Sequence, residues 1–262
     1  MIDFVRKDSY GLNDLERIVS ILRAPGGCPW DGEQTHESLR RGLLEESYEV
    51  VEAIDERSSS HLKEELGDVL LQVVFHADIE KDADRFTLDD VADGICKKLI
   101  FRHPHVFGNV SVSGSDEVLV NWEALKREEK GQETYSDTLN AVARSLPALW
   151  RAEKVQKKAK KAGFDWPDAT GAMDKLSEKL EELKQAVTEQ SNVAEELGDL
   201  LFAAVNVSRF VNADPEAALT AAIDKFISRF EKVERLAAGA GRDMAEMSLE
   251  ELDELWNEAT RT

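Results

Sequence analysis

The feature that most constrains this fold is an internal repeat of two acidic segments. Residues 43–50 (LLEESYEV) correspond to residues 176–183 (LSEKLEEL), and residues 64–70 (EELGDVL) correspond to residues 195–201 (EELGDLL). Repeats of this kind predict two copies of one supersecondary unit. Two further correspondences follow in the same order: Lys98 and Arg102 with Lys225 and Arg229, and Trp122 with Trp256.

Nearly every long segment carries apolar residues at helical spacing, and the alternation typical of strands is scarce. The sequence therefore predicts an all-α protein. A polar stretch containing Gly131 is the natural linker, so we expect an N-terminal module over residues 1–130, a linker over 131–138 and a C-terminal module over 139–262. One continuous helix is expected over Leu139 to Ala162.

The first half places four acids on two consecutive predicted helices. Glu46 and Glu49 are three residues apart and share one helix face, as do Glu65 and Asp68. Acid-rich faces are ordinarily solvated, but the helix after Glu65 is apolar on nearly every face, which is typical of a buried helix. Antiparallel packing would bring these carboxylates together, where like charges about 5 Å apart repel by roughly 3 kcal/mol per pair. Mg2+ or Mn2+ would relieve that repulsion, because both ions prefer oxygen ligands.

Gly67 and its counterpart Gly198 stand beside these acids, inside predicted helices. Glycine costs about 1 kcal/mol relative to alanine there, so its recurrence predicts a close backbone approach. Relief of a contact with a bulky side chain predicts the same packing.

The overall charge of −20 disfavours binding to nucleic acid or to a membrane surface. Within this acidic chain, Lys98 and Arg102 lie one helical turn apart and can grip a polyphosphate, or can complement the helix dipole. Trp122 and Trp256 stack on a base or belong to the core. Two widely separated cysteines and no apolar N-terminal signal region lead us to expect a reducing, cytoplasmic setting.

The acidic motifs resemble those of the MazG family, the all-α nucleoside triphosphate pyrophosphohydrolases. The signature of the family reads here as Glu45-Glu46-x-x-Glu49 followed by Glu65-x-x-Asp68. The resemblance implies tandem MazG modules of four-helix type that hydrolyse nucleoside triphosphates, ribo and deoxy, to a monophosphate and pyrophosphate with Mg2+. It also implies a cytoplasmic homodimer that clears non-standard nucleotides or acts in stress. Further segments share the resemblance: residues 27–31 (GCPWD), 34–36 (QTH), 102–107 (RHPHVF) and 164–167 (FDWP).

The resemblance also assigns roles to individual residues. In the first half it implies Glu46, Glu49, Glu65 and Asp68 as metal ligands, with Glu45 as a candidate general base. In the second half it implies Glu182, Glu196 and Asp199 as metal ligands. The implied substrate contacts are Lys98, Arg102, Trp122, Lys175, Glu178, Lys179, Asn192, Glu195, Lys225, Arg229 and Trp256.

Lys179 departs from the signature, because the family has its second glutamate at this position. An ammonium there would repel Mg2+ or would replace the charge of one metal ion. The intact first motif predicts the working site in the first half, whereas tandem relatives rely on their second module. Two other functions stay open: a narrower dUTP, dCTP or phosphoribosyl-nucleotide pyrophosphatase, and a non-catalytic helical interaction module.

Overall fold

The computed structural model describes residues 4–261, and all regular secondary structure in that range is helical. This confirms the predicted all-α fold. Contacts divide the chain into two compact units, Met1–Lys126 and Arg127–Thr262, hereafter the first unit and the second unit.

The first unit contains two long central helices and several shorter ones. Its helices are α1 (Leu12–Arg23), α2 (Pro29–Gly32), α3 (His36–Asp55), α4 (Ser59–Asp82), α5 (Leu88–Arg102), α6 (Pro104–Phe107) and α7 (Ser115–Glu129), the last of which reaches past the boundary. The second unit also contains two long helices that pair with each other. Its helices are α8 (Tyr135–Asn140), α9 (Ala148–Lys161), α10 (Ala169–Glu189), α11 (Val193–Phe210), α12 (Pro215–Gly239), a 3-10 turn (Met244–Glu246) and α13 (Leu249–Arg261).

Side-chain caps determine where the helices of the first unit begin. The hydroxyls of Thr35 and Ser58 accept backbone N–H groups at the starts of α3 and α4, at 3.2 and 3.3 Å. Thr87 and Asp90 form the reciprocal capping box that their spacing predicts at the start of α5. These caps satisfy N–H groups that a helix leaves unpaired at its first turn.

Helices α3 and α4 form an antiparallel hairpin joined by residues 56–58. Arg57 turns the chain with a φ of 56°, and Gln190 has a φ of 52° in the corresponding turn between α10 and α11. The pairing runs along both helices of the first hairpin, because a Cβ added at Gly42 would lie 3.1 Å from the side-chain nitrogen of Gln72. The hairpin therefore sets the start of α4 opposite the second half of α3.

The core of the first unit forms where α1 packs on this hairpin. It consists of the buried side chains of Val19, Leu39, Val74 and Phe75. Beside it, the guanidinium of Arg23 forms an ion pair of 2.5 Å with Asp78, and both side chains are less than a tenth exposed. This pair fixes the end of α1 against α4.

The second unit contains a buried ion pair of the same kind, between Arg209 and Asp165 at 2.5 Å. When Glu65 is aligned with Glu196, Asp78 on α4 aligns with Arg209 on α11. The second helix of the hairpin therefore carries the acid of the pair in the first unit and the base in the second. The buried contact is kept while its polarity is reversed.

The continuous helix predicted over Leu139 to Ala162 is wrong. The structure has two helices there, α8 and α9, and α9 begins directly after Pro147. Proline lacks an N–H and disfavours helical conformation in the residue before it, so it ends one helix and can start the next. Helix α8 also occupies part of the predicted linker 131–138; the exact module boundaries stay a prediction.

Two expectations about packing are also wrong. A Cβ added at Gly67 or Gly198 would meet no described atom within 4 Å, so neither glycine marks a close backbone approach within the chain. Nor is α4 buried on every side, because Leu66, Leu70 and Val73 are 51%, 40% and 38% exposed. The first unit therefore leaves part of the apolar surface of α4 uncovered.

Candidate metal and nucleotide site

The acids of the first unit converge as the hairpin predicts. One carboxylate oxygen from each of Glu46, Glu49 and Glu65 lies within 4.8 Å of the other two. Glu46 and Glu49 come from α3, and Glu65 comes from the first turns of α4. Asp68 follows Glu65 by three residues on α4, and its charge acts on both Glu46 and Glu65. Glu46, Glu49 and Glu65, with Asp68 beside them, are hereafter called the first cluster, and their role as metal ligands stays a prediction.

The electrostatics of the first cluster are repulsive. Burial raises the pKa of Glu46, and the negative charges of Asp68 and Glu49 raise it further. Burial also raises the pKa of Glu65, with the charge of Glu49 adding to the shift and His61 opposing it. A hard divalent cation would remove this repulsion, and a set of carboxylate oxygens fits Mg2+ or Mn2+.

Glu45, the candidate base, points elsewhere. Its carboxylate accepts a hydrogen bond of 2.7 Å from Arg41 one turn earlier, and both side chains are exposed. It is not one of the three residues whose oxygens converge. A catalytic role for Glu45 stays a prediction.

His61 is a residue of the site that the sequence motifs do not single out. Its ring contacts Glu65 at 3.2 Å through one nitrogen and Glu56 at 2.9 Å through the other. The Glu56 hydrogen bond raises the pKa of His61, against the effect of burial. The repeat carried the signal: Asn192 stands at the corresponding place, and its amide donates to Glu196 at 2.9 Å.

Of the two residues of the first unit that are predicted to bind phosphate, Lys98 is exposed and Arg102 is buried. Lys98 is exposed on α5, whereas Arg102 is 5% exposed and its guanidinium lies 5.1 Å from the centre of the Trp122 ring. Lys126 lies 4.8 Å from the same ring centre. Two cations thus lie within cation–π distance of Trp122, which favours a fixed position for its ring.

The second unit repeats this arrangement. Arg229 lies 5.9 Å from the centre of the Trp256 ring, and Phe226 packs on the same ring at 5.2 Å. Lys225 is exposed, one turn before Arg229. The predicted correspondence of the Lys–Arg pair and the tryptophan thus has the same local geometry in both units.

The acidic cluster of the second unit differs from the first in one respect. The ammonium of Lys179 lies 2.6 Å from Glu182, 2.8 Å from Asp199 and 3.8 Å from Glu196. Hydrogen bonds to Asp199 and Glu182 raise the pKa of Lys179, and the Lys179 bond lowers the pKa of Glu182. The predicted ligands converge here as well, but they converge on a lysine of their own unit.

Comparison with known proteins decides the family. The model of the MazG nucleotide pyrophosphohydrolase domain matches the chain twice, over residues 34–107 and 168–234. The chain belongs to the MazG family. The two matches contain both acidic hairpins, so each unit carries a MazG domain, as the repeat predicts.

Curated MazG relatives align over nearly the whole chain. A nucleoside triphosphate pyrophosphohydrolase/pyrophosphatase MazG of Thermotoga maritima is 47% identical over 93% of this chain and 94% of its own length. A nucleoside triphosphate pyrophosphohydrolase of Escherichia coli K12 is 43% identical over 95% of this chain and 98% of its own length. The uncharacterized protein YabN of Bacillus subtilis is 50% identical over 94% of this chain, which covers 50% of YabN.

The remaining predicted residues of the second MazG domain lie near its cluster but make local contacts. Lys175 forms an ion pair of 2.6 Å with Glu178 on α10, and Glu195 is exposed at the start of α11. Their roles in substrate binding stay predictions. None of the helices within residues 4–261 has the length and apolarity needed to cross a membrane.

Proposed function

We propose that this chain hydrolyses nucleoside triphosphates to a nucleoside monophosphate and pyrophosphate, with Mg2+ held by the first cluster. The observation that carries the proposal is the convergence of Glu46, Glu49 and Glu65 within 4.8 Å. Membership of the MazG family and the activities in the names of its full-length relatives support the reaction class. The chain is accordingly a hydrolase of phosphoric anhydrides.

Four residues would hold the metal: Glu46, Glu49, Glu65 and Asp68. When bound, Mg2+ supplies positive charge that offsets the negative charge of the phosphate oxygens, and Mn2+ can take its place. The residues provide only oxygen donors, and their mutual repulsion favours a cation in the cluster. His61 lies 3.2 Å from Glu65 and would orient that carboxylate, as a residue behind a metal ligand commonly does.

The cations on α5 provide the remaining charge that a polyphosphate needs. Lys98 presents an exposed ammonium to the outer phosphates. Arg102 stacks on the Trp122 ring, which fixes the position of its guanidinium next to the exposed Lys98. Glu45 stays the candidate that would accept a proton from the attacking water, and for this its carboxylate would have to leave Arg41 and turn toward the cluster.

The substrate range is proposed to be broad in base and sugar, with a role in clearing non-standard nucleotides or in stress. A panel that includes dUTP, dCTP and phosphoribosyl nucleotides separates this proposal from a narrower pyrophosphatase. Nucleic acid and membrane are not proposed partners.

We further propose that the active form is a homodimer in the cytoplasm. The side chains of Leu66, Leu70 and Val73 on α4 and of Ile95 and Leu99 on α5 are 38% to 51% exposed. A second copy would cover these apolar side chains. Cys28 and Cys96 are both free thiols, which agrees with a reducing compartment.

The testing experiment measures pyrophosphate release from common and deaminated triphosphates, with and without Mg2+. Asp68→Asn and Asp199→Asn form a matched pair, because each removes the corresponding carboxylate of one unit. We expect Asp68→Asn to abolish release and Asp199→Asn to retain it. The opposite result would show that the second unit is the catalytic one. Pyrophosphate release that persists without any divalent ion would refute the proposed metal dependence.

A further inference from the structure

The acidic cluster of the second unit already contains a cation. Lys179 Nζ lies 2.6 Å from a Glu182 oxygen and 2.8 Å from an Asp199 oxygen, while the Glu196 oxygen lies 3.8 Å away. The lysine side chain is 18% exposed, so it is directed into the cluster rather than into solvent. This geometry is that of an ammonium surrounded by carboxylates.

The same position has the opposite charge in the first unit. Lys179 corresponds to Glu46, the first acid of the first cluster. In the first unit the oxygens of three glutamates converge, with Asp68 beside them, whereas in the second unit three carboxylates surround one ammonium. The substitution removes a ligand and adds a cation in one step.

We propose that Lys179 is the permanent counter-ion of the second cluster and takes the place that a divalent ion takes in the first, so that this chain binds catalytic metal in its first unit only. The part of this proposal that concerns the first unit rests on the proposed function. The part that concerns Lys179 rests on contacts within the second unit alone.

Steric and electrostatic reasons exclude the divalent ion while Lys179 stays in place. Mg2+ requires nearly octahedral oxygens at about 2.0–2.1 Å. The oxygens of Glu182 and Asp199 that could supply them are in direct contact with the ammonium. Because Lys179 is part of α10, it offsets part of the negative charge of the cluster without an ion being taken from solution. A dication must first displace it and then bind to a set with one carboxylate fewer.

It follows that the two copies of the domain differ in function. The second unit keeps the acidic hairpin as a metal-independent structural element, because Lys179 on α10 forms an ion pair with Asp199 on α11. The first unit keeps the carboxylate set whose repulsion favours a metal. One turnover site per chain follows.

The experiment counts Mn2+ ions bound to the full chain, by calorimetry and by the loss of the free-ion paramagnetic resonance signal. The background variant is Glu49→Gln with Asp68→Asn, which removes ligands of the first cluster only. We expect the wild type to bind Mn2+, the background variant to lose that binding, and the background with Lys179→Glu to regain it. Lys175→Glu is the matched control, since it makes the same charge change one turn earlier without restoring binding.

The outcomes separate the two proposals. Mn2+ binding that survives in the background variant and disappears on adding Asp199→Asn overturns the role of Lys179. A wild type that binds no Mn2+ refutes the metal of the proposed function, while regained binding by Lys179→Glu still upholds the role of Lys179. If Lys179→Glu fails to fold, Lys179→Gln replaces it: its melting temperature should fall in EDTA and recover with Mn2+, and a fall that Mn2+ does not reverse counts against the proposal.

Discussion

Replacing Glu46 by glutamine should change the stability of the first unit in opposite directions with and without metal. The Glu46 oxygen lies within 4.8 Å of those of Glu49 and Glu65. At that distance and an effective dielectric constant of 20, two unit charges repel by roughly 3.5 kcal/mol. Solvent at the exposed Glu49 screens much of this, so we expect a net gain of about 1 kcal/mol in EDTA.

In saturating Mg2+ the order should reverse. A ligand that binds only the folded state at one hundred times its dissociation constant stabilises it by about 2.7 kcal/mol. Mg2+ should stabilise the wild type by such an amount. It should stabilise the Glu46→Gln variant less, because the variant has lost one carboxylate of the set. The melting temperature of the variant should therefore lie about 3–6 °C above the wild type in EDTA, and below it in Mg2+.

The assay is thermal unfolding followed by circular dichroism, in EDTA and across a Mg2+ titration. Glu52→Gln is the matched control: it removes an exposed acid of the same helix that is not one of the three converging residues, so its two melting curves should shift together. A Glu46→Gln variant that melts earlier than the wild type in EDTA would refute the reasoning, since Glu46 would then have a stabilising partner within the fold.

Three further predictions concern the first unit. Burial and the neighbouring His36 lower the pKa of His76, so the unfolded state takes up its proton first. The contribution of His76 to the free energy of unfolding should be complete above pH 6.5 and should be lost as the pH falls below that value. Urea titrations of the wild type and of His76→Gln at several pH values check this, and the same pH dependence in both proteins would contradict it. Arg23→Ala leaves Asp78 buried without this ion-pair partner and should cost about 3 kcal/mol in the same titrations, unlike an exposed substitution. Gly27→Ala should prevent stable folding of the unit, because its Cβ would lie 2.3 Å from a backbone oxygen; a native melting temperature would disprove that clash.

The sequence was sufficient to predict the helical hairpins because local signals and the repeat agree there. The acidic segments 43–50 and 64–70 lie on α3 and α4, which form the first of the two hairpins that the repeat indicates. Apolar periodicity was not sufficient between Leu139 and Ala162, where Pro147 interrupts a pattern that otherwise favours one helix. Local steric rules override periodicity at such a point.

What could not be predicted concerns contacts that spacing alone does not specify. Gly67 was expected to mark close packing, yet the space beside it is open within the chain. His61 was assigned no role, because its contact with Glu65 is apparent only when its position is matched to Asn192. The direction of Lys179 was open as well, since a long side chain can extend toward solvent or toward its neighbours.

The two units together show which property the hairpin retains. Both clusters bring carboxylates to one place, and they differ in the origin of the balancing charge: Lys179 provides it in the second unit, whereas we propose that a divalent ion provides it in the first. The buried ion pairs follow the same logic, because Asp78 and Arg209 occupy corresponding positions with opposite charge and each is paired. Burial of an unpaired charge is costly, so a substitution that reverses one charge persists only where its surroundings supply the other. Lys179 satisfies that condition through Glu182 and Asp199, so the lysine at this position leaves its ammonium paired within the second unit.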